Sequence, residues 1–470
     1  MAALAALAAP AAVANPVVPG DHPDPTLLRT PDGWYASSTS TDWLPAFPVL
    51  FSPDLEHWRQ VGSILRTRPR WAAEDFWAPE LAVRDGNVLA YYAAKGRDGR
   101  RCVAVASAPA PTGPYRDHGP LICSRVGEID PLPVRDEHGA DWLVWKRDGN
   151  SRGLPTPLLA APLAPGGMSL AAPPRELFQA DAPWEHGLIE APALVRRGGF
   201  FYLVYSAGRC CGRHCNYATG VARAIALLGP WEKRPAPILT GGAGLRCPGH
   251  VGIAPGPAGD PLLAYHAYVR GDPSNRQLLV APLHFDAEGW PAVEPVRPTL
   301  PRPPDARFGF GRRLGLGWEW PAGPRPDARV TGGRLALARG ALARQTGTTH
   351  FIARTVVVPH SGSARPGLAV MPDGDNSVGI ELRGSRAVAW RSDDGLRMDV
   401  GALDVGSPRV ELRVVAGARV RLELRSRGRW RGVGGPQPPP RWAAGARVAL
   451  TVRGGPGARG EFGRLWIDSR

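Results

Sequence analysis

Lysine is almost missing from this sequence. Of 57 basic residues in 470, only Lys95, Lys146 and Lys233 are lysine. The formal charge of +15 is therefore arginine charge, scattered among Ala, Gly and Pro rather than gathered on a helix or patch. That distribution fits a composition bias and argues against a nucleic-acid partner. Long apolar runs are missing too: no stretch of about 20 apolar residues suggests a membrane span. The Ala-rich start, "MAALAALAAPAAVAN" (1–15), resembles the apolar core and small-x-small cleavage site of a secretory leader (Ala12-Val13-Ala14). It has no positively charged stretch before it. We read residues 1–15 as a remnant of such a leader and expect a secreted or periplasmic protein.

Cysteine is sparse, with six residues. Cys102 and Cys123 flank a hairpin, "CVAVASAPAPTGPYRDHGPLIC", and are expected to pair across it. Cys210, Cys211, Cys215 and Cys247 leave several connectivities open. The cluster "CCGRHC" lacks the two separated ligand pairs of structural zinc, so disulfide chemistry is the better reading. The insert "RCCGRHCNY" is either a disulfide-stiffened rim or a surface loop.

What is abundant is turn chemistry and tryptophan. With 58 Gly, 52 Pro and 16 Trp, the chain reads as all-β and folded. Five short aromatic and aliphatic runs recur about every 50 to 60 residues. They are "GWYASSTS" (33–40), "VLAYYAAKG" (88–96), "DWLVWKRDG" (141–149), "FFYLVYSAG" (200–208) and "PLLAYHAY" (261–268). They are too short for helices and rich in strand formers. Before each run stands one polar residue in an apolar or Pro-rich setting: Asp24, Glu80, Asp130, Glu190 and His250, at intervals of 56, 50, 60 and 60 residues.

A unit of this length suits a four-stranded propeller blade, whose innermost strand lines a common axis. Five units predict a five-bladed β-propeller over residues 16–300. A (β/α)8 barrel is rejected because the intervening segments are Pro- and Gly-punctuated strands such as "VLFSPDLEHWRQVG". The Pro-rich segment 301–306 reads as a linker. Residues 307–470 hold about nine alternating strands, which predict a β-sandwich of jelly-roll type.

Three carboxylates and a histidine at one phase do not suit acyl transfer, since no Ser or Cys nucleophile stands among them. They suit glycoside hydrolysis, which needs a carboxylic acid for the leaving oxygen and a carboxylate to activate water. Glu190, flanked by Leu188, Ile189 and Ala191, is the candidate acid, on the reasoning that apolar surroundings help it hold a proton. Taken singly, each of these acids could be a strand-end or turn residue.

The motifs "GDHPDPT", "WAPEL", "GEIDP", "LIEAP", "CPGHVG", "SPDLEHW", "PTGPY" and "LLGPWEK" together resemble glycoside hydrolase family 43, five-bladed propellers acting on arabinan, arabinoxylan and xylo-oligosaccharides. The resemblance implies an inverting enzyme with Asp24 as general base, Glu190 as general acid and Asp130 as the carboxylate that orients the acid and adjusts its proton affinity. It implies a sugar pocket containing His250 and Arg276, with Trp77 and Trp43 as stacking faces. It implies that no cofactor is required for the chemistry. Calcium on the propeller axis, held through water by His266, is a further implication, with a satisfied core histidine as the alternative. Where the family commonly has "WAPD", this chain has Glu80, which leaves the substrate contacts of that blade open. An exo-acting α-L-arabinofuranosidase or β-xylosidase is the leading expectation. An endo-arabinanase and a non-catalytic carbohydrate-binding protein are the alternatives.

Overall fold

The computed structural model describes residues 13–294, 296–300, 302–358, 363–406, 409–440, 445 and 447–470. Most of the Ala-rich start lies outside them. The five aromatic runs all form strands, and each is the second strand of a four-stranded antiparallel sheet: Gly33–Ser37, Asn87–Gly96, Asp141–Arg147, Phe200–Ala207 and Pro261–Val269. The first strands are Thr26–Thr30, Ala72–Arg84, Glu128–Arg135, Ile189–Arg197 and Leu245–Pro255. Each first strand packs on the next, and the fifth packs on the first, so the five sheets close a ring around an axis. This is the five-bladed propeller the repeat calls for.

The ring is latched by its own N-terminal segment. The Val17 amide donates to the Leu278 carbonyl (3.0 Å) and the His22 amide to the Arg276 carbonyl (2.9 Å), alongside the third strand of blade five, Asp272–Phe285. The Asn15 side chain both donates to and accepts from Val280. The segment that leads into blade one is thus tied to blade five, and those two blades cannot part without breaking the latch.

Beyond the propeller, an eight-stranded and a six-stranded antiparallel sheet pack face to face. All nine expected segments are strands. Five more escaped the sequence reading: Ala306–Gly309, Ala328–Thr331, Gly340–Gln345, Leu396–Asp404 and Arg429–Gly432. They are short, Arg-rich or exposed on alternate residues, so their apolar pattern is weak.

A single apolar core runs from the second blade through Phe47, Phe76 and Tyr92 to Phe310, Trp318 and Trp320 and on into the sandwich. At this joint Trp43–Leu44 pairs antiparallel with Trp320–Pro321.

Candidate active site

Each axial strand distorts at the same place. Asp24, Ala78, Asp130, Ala191 and His250 all have φ between +48° and +55°. The first four of these precede a proline, and register shifts interrupt the innermost pairing beside all but the first. A left-handed residue inside a strand costs about 1–2 kcal/mol. Five at one level aim five side chains or amides at the axis. The true structural phase therefore differs from the sequence expectation in two blades: it falls on Ala78, not Glu80, and on Ala191, one residue after Glu190.

Around Asp24 the charge is positive. Its Oδ1 lies 3.3 Å from Arg276 Nη1 and 3.4 Å from His250 Nδ1. Burial alone would push its carboxyl up, but Arg276 and then His250 outweigh burial and hold it well below the usual range. His266 Nδ1 accepts the Asp24 backbone N–H at 3.0 Å and also lies 3.2 Å from Oδ1. One nitrogen cannot accept the first bond and donate the second. The amide has no alternative acceptor here, so we place the His266 proton on Nε2. Burial lowers the His266 pKa to about 4, in keeping with a neutral ring.

Glu190 sits in a different environment from the one its sequence neighbours suggest. Its Oε2 accepts from Lys146 Nζ at 2.7 Å, and its Oε1 accepts from the Tyr217 hydroxyl at 2.8 Å. Residues adjacent along a strand point to opposite faces, so Ile189 and Ala191 do not surround this carboxylate. The reasoning from apolar flanks is corrected accordingly. Lys146, 1% exposed, also donates to Asp148 (3.2 Å) and Asn150 (3.0 Å), which uses all three protons.

Asp130 Oδ2 accepts the Ala191 amide at 3.0 Å and so steadies the strand that carries Glu190. Burial, set against the attraction of His250 and reinforced by Glu190, pushes its pKa up to about 7. Arg276 is fixed from a second side, its amide donating to Asp21 Oδ1 at 2.9 Å. The His250 amide donates to Ser206 Oγ at 2.8 Å.

Not every expected residue reaches this cluster. Trp43 is fully buried, its indole N–H donating to the Pro372 carbonyl (2.8 Å) and its ring packed against Ala341, Ala343, Met371 and Ala449. It has no face left for a sugar: it is a joint between the domains. Glu80 lies one step further down its strand, hydrogen-bonded with Thr26, and burial pushes its pKa up to about 8. None of the site's carboxylates or cations is among the groups acting on it. Trp77 is half-buried, with one face covered by the Arg101 guanidinium at 4.7 Å. Arg101 bridges Asp75 and Asp148 and so links that ring to Lys146.

The donors do not fit a hard cation. His266 Nε2 is buried without a hydrogen-bond partner, yet a lone imidazole nitrogen is not a calcium donor set. Among the described residues no three His, Cys, Asp or Glu side chains are grouped to hold a metal.

Lys146 and Tyr217 were missed by sequence reasoning. For Lys146 a signal existed: it is one of three lysines and interrupts the apolar run "DWLVWK". Tyr217, in a Cys-rich loop, had none.

The expected Cys102–Cys123 disulfide is present, and of the four cysteines whose connectivity was open two form a second bridge. Cys102 bridges Cys123 directly across neighbouring strands, and Cys215 bridges Cys247, while Cys210 and Cys211 carry free thiols.

A five-bladed ring with carboxylates from separate blades converging at one level of its axis is the architecture of a propeller glycosidase. The family model described as "Glycosyl hydrolases family 43" matches residues 13–291. The chain belongs to glycosyl hydrolase family 43. An extracellular exo-α-(1→5)-L-arabinofuranosidase of Cellvibrio japonicus is 30% identical over 304 residues, 58% of this chain and 86% of that protein. An extracellular endo-α-(1→5)-L-arabinanase of Bacillus subtilis is 28% identical over 57% of this chain and 86% of its own length. A xylan β-1,4-xylosidase structure from Bacillus halodurans, 22% identical, superimposes with a TM-score of 0.81 over 97% of this chain and all of that one. That likeness extends the fold match to the sandwich.

Proposed function

We propose that this enzyme is an exo-acting α-L-arabinofuranosidase or β-xylosidase, exported from the cell, that inverts the anomeric centre. One observation carries the assignment of roles: Asp24 lies against Arg276 and His250, while Glu190 has a donor on each oxygen, Lys146 on one and the Tyr217 hydroxyl on the other. Asp24, held ionised by Arg276 and His250, is suited to take a proton from the attacking water. Glu190 is suited to protonate the glycosidic oxygen. As its proton leaves, the Lys146 ammonium and the Tyr217 hydroxyl are already aimed at the two oxygens that gain charge, a stabilisation that grows toward the transition state. Asp130, anchored to the Ala191 amide, positions Glu190. His250, Arg276 and the free face of Trp77 are the proposed sugar contacts.

Exo action is supported by where the sandwich meets the propeller. Gln345 accepts the Asp21 amide (3.3 Å), Gly445 lies against Asp21 and Asn275, and Arg447 acts on the Asp21 charge. The second domain thus abuts the segment that carries Asp24, where an open cleft would need free space. Export is supported by the two disulfides and by the extracellular relatives. No helix among the described residues is long and apolar enough to cross a membrane.

Arabino- and xylo-oligosaccharides labelled at the reducing end test the reading. Successive release of single sugars, with the inverted anomer seen first by NMR, is expected. A ladder of intermediate lengths would instead favour an endo-arabinanase, and no hydrolysis of any pentoside would favour a non-catalytic carbohydrate-binding protein.

A further inference from the structure

The loop between Phe200–Ala207 and Ala218–Ala224 carries two adjacent thiols that the proposed mechanism does not use. Cys210 Sγ and Cys211 Sγ face each other at 2.6 Å, inside ordinary non-bonded contact. The loop is fixed on both sides of them. The Arg209 amide donates to Asn216 Oδ1 (2.7 Å), the Gly212 amide to the Tyr268 hydroxyl (3.3 Å), and Cys215 is bonded to Cys247, three residues before His250. Cys210 packs on the cluster Tyr217, Cys247 and Tyr268, and Tyr217 holds Glu190. The pair therefore stands at the mouth of the axial site, with Cys211 exposed.

We propose that Cys210 and Cys211 close to a vicinal disulfide in the oxidising surroundings where the other two bridges form, and that the resulting ring is one wall of the sugar pocket. The oxidant is a diffusible small-molecule disulfide such as oxidised glutathione. The Cys211 thiolate attacks one of its sulfurs, forming a mixed disulfide and releasing one glutathione thiolate. The Cys210 thiol then loses its proton and attacks Cys211 Sγ, releasing the second glutathione. Two thiols of the protein are oxidised and one glutathione disulfide is reduced to two thiols. Contact with Cys210, partly offset by burial and helped by Arg276, lowers the Cys211 pKa to about 7, which favours that first attack.

A bridge between neighbouring residues is confined to the roughly 3.8 Å that one trans peptide allows between Cα atoms, below the usual span of about 4.4–6.8 Å. Such a bridge is more easily reduced than an unstrained one. It would open while Cys102–Cys123 and Cys215–Cys247 stay closed. Closed, it replaces two polar S–H groups with an apolar ridge on which the C–H face of a pentose can rest. Open, it leaves two rotatable thiols. The bridge itself does not depend on the proposed function, whereas the sugar wall rests on its placing a sugar pocket at the axial site.

The test equilibrates the full chain in glutathione buffers of increasing oxidised share, quenches in acid, unfolds and alkylates with N-ethylmaleimide. In the most oxidising buffer the peptide holding Cys210 and Cys211 should carry no maleimide and be two hydrogens lighter. It should become the first of the three bridges to open as the buffer is made reducing. Maleimide on both residues in oxidised glutathione would overturn the bridge. Titration of arabinose and xylose, followed by tryptophan fluorescence, reads the wall without relying on turnover. Binding should weaken about tenfold on mild reduction, the scale of losing one apolar contact in a pocket. The Cys210→Ser, Cys211→Ser double variant should show no redox dependence. A bridge that forms without changing sugar binding would overturn the wall. Redox-dependent sugar binding without hydrolysis in either state would uphold both and sink the glycosidase reading instead.

Discussion

The two domains use left-handed backbone for different ends. In the sandwich, the non-glycine residues of positive φ among the described residues are Asp394 and Arg427, both at hairpin turns. In the propeller the conformation occurs at turns too, as at Asp85 before Gly86, but it also recurs at one phase of the axial strands, at Asp24 just before the first and at Ala78, Asp130, Ala191 and His250 within the other four. Turns need the conformation to reverse the chain. The axial strands do not reverse: they are bent so that carboxylates, an imidazole and amides from separate blades meet at one level. Strain of about 1–2 kcal/mol per residue, repeated at one phase of all five blades, marks the site, whereas the same strain at a tip marks only a corner.

The largest effects should come from the axial carboxylates. Asp24→Asn should lower kcat by about 10²–10⁴ on good and poor leaving groups alike, because water must be deprotonated in either case. Glu190→Gln should cost a similar factor on poor leaving groups but far less on nitrophenyl glycosides, which need no proton. Equal losses for Glu190→Gln on both would remove it from the role of acid. Carboxylates of the sandwich such as Asp399, paired with Arg383, should tolerate the same change with no effect on kcat.

Next is the buried cation. Lys146→Met leaves Glu190 without its counter-charge and Asp148 with Arg101 alone, and breaking a buried pair costs about 3–5 kcal/mol. We expect a large fall in Tm and lower kcat. Lys146 also holds the Asp130 pKa down, so any rate limb set by Asp130 should move to higher pH in this variant. A pH–rate profile of the residual activity checks it.

Much of this was written in the sequence, for a physical reason that differs by level. The second strand of each blade is buried on both faces, so its composition alone announces it, as in "FFYLVYSAG". The alignment of Asp24, Asp130 and His250 followed from the repeat because one residue per blade sits at the bend. What the repeat could not show is the surroundings of each carboxylate. Lys146 and Tyr217 approach Glu190 from the second strand of blade three and a loop of blade four, and nothing in "HGLIEAPALV" encodes them. Trp43 was misjudged for a related reason: an aromatic residue near the axis in sequence can be claimed by a second domain whose docking no local pattern reveals.

A smaller effect separates the axis from the sandwich by pH. Burial raises Asp130 from 3.8 to about 7 and Asp21 to about 6, so the folded state binds more protons than the unfolded state across that window. Stability therefore falls as pH rises from about 4 to 7. Asp399 works in the other direction. Its hydrogen bonds to Arg383 lower it, so its contribution is present above pH 3.8 and is lost as pH falls further. Calorimetric Tm between pH 5 and 7 should decline more steeply in the wild type than in Asp130→Asn, whose amide keeps an acceptor for Ala191. Asp399→Asn should leave that slope as it is. Parallel slopes for wild type and Asp130→Asn would show that Asp130 is not held protonated by its burial.

The smallest effect tests the comparison directly. Glycine adopts positive φ without the Cβ clash, so Asp394→Gly and Ala191→Gly should each relieve up to about 1 kcal/mol of strain, less what the freer unfolded chain takes back. By stability the two should look alike, with Tm changes of a few degrees at most. By activity they should part. Asp394 caps a tip of the sandwich, so kcat should not move. Ala191 follows Glu190 and donates its amide to Asp130, and added freedom there lets the acid drift from its aim. We expect kcat to fall by about threefold to tenfold, short of the hundredfold that an ångström of misplacement can cost. The loss should be greater on poor leaving groups than on activated ones. If Ala191→Gly matches the wild type on both, the axial bends position nothing that the closed ring does not already hold, and strain at the axis means no more than strain at a turn.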